Sequence, residues 1–213
     1  MSPRPRKASD EEIFAAAYRI MNRLGPAQWT LADVGAEAGL TAGALVQRFG
    51  SKRGLMVALT ERLASATPAM FAGLRAAHPS SPLAVVRAYA DGMAAMGESP
   101  GGMAHHLAYL QMDLADPDLH HHVRAQARET HAELRALLDE AVAAGELPAG
   151  VDAGALARVI EAVVGGSLLA WAFHQEGSPV RWVRTDLDAV LAAFGHAARP
   201  ARGAMPRAAR RTR

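Results

Sequence analysis

The chain has 213 residues, half of them hydrophobic, and a formal net charge of +2, enough for one compact unit or for a small and a larger domain. The absence of cysteine excludes disulfides and thiolate-bound metals. The basic start, Met1 to Lys7, is followed by no apolar stretch, and the segment 162–173 falls short of the ~18 residues a membrane span needs, so the expectation is a cytoplasmic protein with no secretory signal and no membrane contact.

The elements are helical throughout. Alanine is abundant, β-alternation is missing, and breaks fall at Gly and Pro. The spacing predicts an all-α chain of nine helices: 10–24, 31–38, 42–48, 52–77 (bent at Pro68), 82–97, 104–114, 117–144, 152–175 and 182–197. The first residues carry Arg4, Arg6 and Lys7 with no acid, and 199–213 carry six arginines with no acid. The body between these ends holds 14 basic and 21 acidic residues. Basic ends on an acidic body suit contact with a polyanion, although a solvated tail without a partner explains the C-terminal run equally well. Helix 10–24 opens with a capping box, Ser9 with Glu12, and its stripe Ile13, Ala16, Ala17, Ile20 and Leu24 faces inward.

Residues 30–49 carry the strongest signal. Thr30 with Asp33 makes a second capping box, and Leu31 and Val34 face inward. Gly39 stops the helix, because glycine takes positive φ without a Cβ clash. Leu40 anchors the turn and Thr41 caps the next helix, whose Leu45 and Phe49 face inward. Ala42, Gly43, Ala44, Gln47 and Arg48 are left on the outer face. A second helix presented in this way enters the DNA major groove by its N-terminal part. Small residues at 42–44 let its backbone approach the bases. Gln47 suits adenine, and Arg48 suits guanine or a phosphate. Ser51 caps the following helix, where Lys52 and free backbone N–H groups suit a phosphate. Arg4, Arg6 and Lys7 would follow the backbone or a minor groove. The alternative is a plain helical hairpin within a larger bundle.

Over about residues 10–60 the sequence resembles the TetR (tetracycline-repressor) family of bacterial transcriptional regulators. The matching residues are Gly25, Thr30, Val34, Ala38, Gly39, Leu40, Thr41, Gly43, Leu45, Phe49, Ser51 and Lys52. The resemblance implies a three-helix DNA-binding domain and a C-terminal helical domain for ligand binding and dimerisation. It also implies a palindromic double-stranded operator and a small-molecule effector that weakens DNA binding. Four positions depart from the family pattern, one of them Arg48, which stands where histidine is common. Val46 stands where tyrosine is usual, and Gly35 replaces an alanine, which should loosen its helix by about 1 kcal/mol. Gly54 replaces an acid, removing a capping-box partner. The divisions expected are 1–52 for DNA binding, 53–198 for ligand binding and dimerisation, and a basic tail, 199–213.

The C-terminal part offers two candidate dimer stripes on helices 152–175 and 182–197. The first comprises Leu156, Val159, Ile160, Val163, Val164, Leu168 and Trp171; the second comprises Val183, Leu187, Val190, Leu191 and Phe194. Gly165, Gly166 and Ser167 permit close helix approach. Packing of these stripes within one chain is the alternative. Candidate contacts for a largely apolar effector are Met70, Tyr89, Met93, Met96, Met103, His106, Tyr109, Leu110 and His174, since methionine adapts to varied apolar shapes. Ordinary core packing accounts for most of them as well. The pairs His105-His106 and His120 to His122 invite a metal reading, yet adjacent helical residues point about 100° apart and converge poorly on one ion. No nucleophile signature, phosphate loop or cofactor motif is present. The expected function is a sequence-specific DNA-binding regulator, a repressor released by its ligand, with no catalytic step. A ligand-independent regulator and a helical metal-binding protein are the alternatives.

Overall fold

The computed structural model describes residues 8–95 and 99–197. Arg4, Arg6, Lys7, Met96 and the arginines from 199 onward lie outside the described residues. Within them the chain forms nine helices and no strand. They are α1 (Asp10–Gln28), α2 (Leu31–Ala38), α3 (Ala42–Phe49), α4 (Lys52–Ala77), α5 (Pro82–Ala95), α6 (Pro100–Ala115), α7 (Pro117–Ala143), α8 (Ala153–His174) and α9 (Pro179–Ala197).

Side-chain caps set most of the starts. Ser9 Oγ accepts from Glu12 N while Glu12 accepts from Ser9 N at 2.8 Å, closing the first capping box. Asp116 Oδ1 accepts from the N–H groups of Asp118 and Leu119 at the head of α7, and Asp152 accepts from Ala155 N at the head of α8. Two helices begin earlier than the spacing predicts. At α6, Ser99 Oγ accepts from Gly102 N at 3.0 Å and Pro100 sits in the first turn. That pairing draws Gly101 and Gly102 into the helix, because proline's fixed φ suits the first turn. At α9, Ser178 Oγ accepts from Arg181 N ahead of the expected start at 182. The expected break after Leu24 is present: Gly25 has φ 70° and ψ 171°, and Pro26 opens a last short turn to Gln28.

Two apolar cores result. The N-terminal one gathers Ile13, Ala17, Ile20, Trp29, Val34, Leu45, Leu55 and Leu59, joined by Leu119 from α7. The C-terminal one gathers Phe71, Val86, Tyr89, Leu134, Leu138, Leu156, Ile160 and Leu187. Helix α4 serves both, its first half in one core and Phe71 in the other, and it packs along α7.

Two expectations are corrected. The proposed dimer stripes lie mostly inside the chain. Leu156, Ile160, Val164, Leu168 and Trp171 are buried, as are Val183, Leu187 and Leu191, because α8 packs against α7 and α9. The apolar stretch of helix α8 is also longer than the segment 162–173 suggested. Its 22 residues reach a mean hydropathy of 1.6 over an 18-residue window, enough by length and composition to cross a bilayer. Its inner side is instead part of the C-terminal core.

Candidate nucleic-acid interface

The α2–turn–α3 unit is built by short-range bonds. Thr30 Oγ1 donates to Asp33 Oδ2 at 2.7 Å and accepts from Asp33 N, and Asp33 also takes the Thr30 N–H at 2.7 Å. These bonds hold the Asp33 carboxyl below its usual range. Gly39 ends α2 in the left-handed region, φ 69°. Leu40 N then donates to Gly35 O at 2.7 Å, drawing the turn back onto the helix. A Cβ on Gly35 would stand 2.8 Å from the Leu40 carbonyl oxygen. Glycine at 35 therefore permits the close turn, and its low helix propensity is offset there. Gly54 behaves alike: a Cβ would lie 2.0 Å from the Phe49 carbonyl oxygen, so an acidic residue does not fit this junction. Ser51 still caps α4 by accepting from Gly54 N.

Helix α3 is fixed from one side only. Thr41 Oγ1 accepts from Ala44 N at 3.2 Å. Leu45 is fully buried, and Phe49 meets Phe14 at a ring separation of 5.8 Å. The opposite side carries Thr41, Gly43, Val46 and Gln47, all exposed, with Ala42 and Ala44 half-buried beside them. Val46, 48% exposed, is a large apolar side chain on this outer face.

The expected cations are placed differently. Lys52 turns inward. Its Nζ donates to the carbonyls of Pro26 at 2.8 Å and Trp29 at 2.7 Å, and lies 4.4 Å from the centre of the Trp29 ring. Partial burial lowers its pKa. The ammonium thus cross-links α4 to the α1–α2 connection, and its three donors are largely committed. Arg48 turns toward α1. Its Nη1 donates to the Ala8 carbonyl at 2.8 Å and its Nε pairs with Asp10 at 2.6 Å.

The sequence reading missed the contacts that tie this unit to the C-terminal core. Arg53 makes a fork on Asp116 with two bonds of 2.7 Å and a third to Asp118 at 2.7 Å. These bonds raise the arginine pKa and lower that of Asp116. His105 Nδ1 donates to the Asn22 carbonyl at 2.9 Å, and its ring sits where a Cβ on Gly25 would be. No local pattern announces pairs more than sixty residues apart.

The expected effector contacts do not converge. Tyr109 packs against the N-terminal core beside Trp29, and burial pushes its pKa up to about 12. Met70, His106 and Leu110 are exposed, and His174 stacks on Trp182 at 5.2 Å on the outer surface. Tyr89 and Met103 are buried in the C-terminal core, with Met93 packed against it. Tyr89 stacks on Phe71 at 5.2 Å, and burial followed by the charge of Glu161 pushes its pKa up to about 12. Glu161 in turn meets His131 Nδ1 at 2.9 Å, a polar pair that the sequence reading passed over. Among the described residues, no three or more His, Asp or Glu side chains are grouped to hold a metal ion.

A short helix held from behind, presented after a glycine turn and carrying small residues at its head, defines a helix-turn-helix DNA-binding protein. The family model of bacterial regulatory proteins, tetR family, matches residues 13–59, and that of the tetracyclin repressor-like C-terminal domain matches 83–187. The chain is similar to the HTH-type transcriptional regulator TtgR of Pseudomonas putida, 26% identical over 188 residues covering 83% of this chain and 89% of that protein. A TetR transcription regulator from Haloarcula marismortui has the same fold, with a TM-score of 0.71 at 18% identity, covering 87% of this chain and 97% of that one. So does SmeT, the repressor of the Stenotrophomonas maltophilia multidrug efflux pump SmeDEF, with a TM-score of 0.63 at 24% identity, covering 88% and 91%. The chain belongs to the TetR family. It is a DNA-binding transcriptional regulator with a tetracyclin repressor-like C-terminal domain.

Proposed function

We propose that the chain works in the cytoplasm as a homodimer that holds a palindromic operator and lets go when a largely apolar effector enters the C-terminal core; binding, not catalysis, is its whole chemistry. The observation that carries this reading is the exposed face of α3, with Gly43 and Gln47 outward and Leu45 buried behind. Thr41, Ala42, Gly43 and Ala44 bring the helix head against the bases, and Gln47 reads one adenine through its amide. Thr30 heads α2 and faces a phosphate. The basic residues Arg4, Arg6 and Lys7 supply sequence-independent attraction.

Two half-sites need two recognition helices. The face of α8 that the chain leaves open is Ala162, Gly165, Gly166, Leu169 and Phe173, spaced as one side of a helix, with Phe173 78% exposed. Small residues there let a partner helix approach closely, and Leu169 and Phe173 supply apolar area. For the effector, the Phe71–Tyr89 stack with Met93 and Met103 forms the apolar wall, and the Tyr89 hydroxyl with the His131–Glu161 pair forms its polar end. SmeT, which shares the fold, forms a complex with triclosan. Release requires the effector to favour one arrangement of the two recognition helices over the other.

The test is fluorescence anisotropy of the purified chain on the DNA upstream of its own gene, beside a random-sequence duplex. Saturation at one dimer per site, weak control binding, and release by an apolar compound are expected. Equal binding to both duplexes would defeat the operator reading.

A further inference from the structure

Residues 8–62 hold six lysine and arginine side chains, and nearly all are committed. Arg19 pairs with Glu37 at 2.9 Å, Arg48 with Asp10, Arg53 with Asp116 and Asp118, and Arg62 with Glu11. Lys52, the cation expected on a phosphate, spends its ammonium on the Pro26 and Trp29 carbonyls. Arg23 is the exception. It is exposed on α1 and, among the described residues, makes no hydrogen bond or ion pair. Its guanidinium N–H groups are therefore free to donate.

The packing of α1 on α2 places this side chain. Only Trp29 and Thr30 separate the two helices, so they run antiparallel. The Arg19–Glu37 pair fixes their register. One turn further along α1 and one turn back along α2, the same register sets Arg23 beside Asp33. The electrostatics agree: the bonds from Thr30 hold the Asp33 carboxyl below its usual range, and the charge of Arg23 adds to them. Arg23 thus flanks the first turn of α2, next to the exposed Thr30.

We infer that Arg23 contacts a DNA phosphate at the head of α2, supplying the backbone contact that Lys52, turned inward, does not. This rests on the reading above that α3 enters the major groove. In a helix-turn-helix docked that way, the helix before the recognition helix crosses the sugar–phosphate backbone, and here that helix is α2. The Asp33 carboxylate on its first turn would by itself repel a phosphate. A guanidinium alongside offsets that charge and still has N–H groups to donate. Arginine also suits the task because its planar fork matches phosphate oxygens and it stays charged at any working pH. Such a contact holds the protein in register on the duplex and carries no base preference.

The experiment measures binding of the full chain across a salt series, on a duplex that the native chain enriches from a random-sequence pool and on a random duplex. The variants are Arg23→Gln, Arg23→Lys and, as a control on the docking face, Gln47→Ala, with thermal melting beside them. Arg23→Gln should weaken binding to both duplexes by the same factor, roughly tenfold at moderate salt. It should also lower the log–log salt slope by about 0.9 for each chain bound. Arg23→Lys keeps the charge and should restore the slope. If Arg23→Gln lowers the Tm but leaves the slope unchanged, Arg23 serves only Asp33 and the inference is overturned. A loss confined to the enriched duplex would make Arg23 a base contact and overturn it equally. If Gln47→Ala relaxes discrimination while Arg23→Gln leaves affinity and slope unchanged, the inference fails alone. If neither variant changes binding, the docking of α3 is wrong and the inference falls with it.

Discussion

At the residue scale, two polar side chains expected to meet DNA do opposite things a few positions apart. Gln47 points away from the protein and is free to read a base, whereas Lys52 donates to Pro26 and Trp29 carbonyls and covers an indole face. Gln47→Ala should therefore relax preference at one base pair by about 1–3 kcal/mol and leave random-sequence binding unchanged. Anisotropy against single-base operator variants measures this; equal losses on all duplexes would remove Gln47 from the readout. Gly54 makes a steric prediction. A side chain there meets the Phe49 carbonyl oxygen at 2.0 Å, and backbone must move to admit it. Gly54→Glu, although it restores the family's usual residue, should destabilise the chain by about 1–3 kcal/mol, read as a lowered Tm. An unchanged or raised Tm would show that the junction yields easily.

At the element scale, α2 is the piece most dependent on its ends. It is eight residues long, too short to persist without a cap and a packed face. Thr30→Ala removes the hydroxyl that Asp33 uses and should cost about 1 kcal/mol. Its pH dependence follows from Asp33. The bonds from Thr30 hold that carboxyl below its unfolded value, so the box is fully stabilising above the unfolded pKa of about 3.9 and is lost as pH falls through the lower folded value. The Tm gap between native and Thr30→Ala chains should be constant near neutrality and shrink in acid. A gap independent of pH would show that Asp33 contributes nothing through this bond. The flanking connection is equally specific, since Gly35 and Gly39 together let Leu40 fold back under α2.

At the scale of the whole molecule, the two cores meet along α4, α6 and α7, and the polar bonds there are few and long-range. The Arg53 fork on Asp116 and Asp118 and the His105–Asn22 bond join the DNA-reading unit to the rest. A change that moves the head of α7 is thereby felt at Arg53 in the first turn of α4, and one that moves α6 is felt at Asn22 of α1. Assembly makes the last prediction. Gly166→Arg places a charge in the middle of the open α8 face, where nothing within the chain approaches a Cβ. The variant should keep its Tm as a folded chain, sediment as a monomer, and lose most operator affinity. A dimer that survives the substitution would put the interface elsewhere.

The helix-turn-helix was legible from sequence because its logic is local. Thr30, Gly39, Thr41, Leu45 and Phe49 act over three or four residues, so caps, a positive-φ turn and an inward stripe appear directly in the spacing. The nine helices of the described residues followed for the same reason, apart from starts where Ser99 and Ser178 recruit residues that read as breaks. Which apolar face meets which neighbour was not legible. The stripes of α8 and α9 look alike whether a partner or the chain itself covers them, and only the packing of α7, α8 and α9 buried Leu156 and Leu187 within one chain. The cations were not legible either, because each takes the nearest carbonyl or carboxylate. Those acceptors, at Ala8, Asp10, Pro26, Trp29 and Asp116, come from elements that only the tertiary fold brings near.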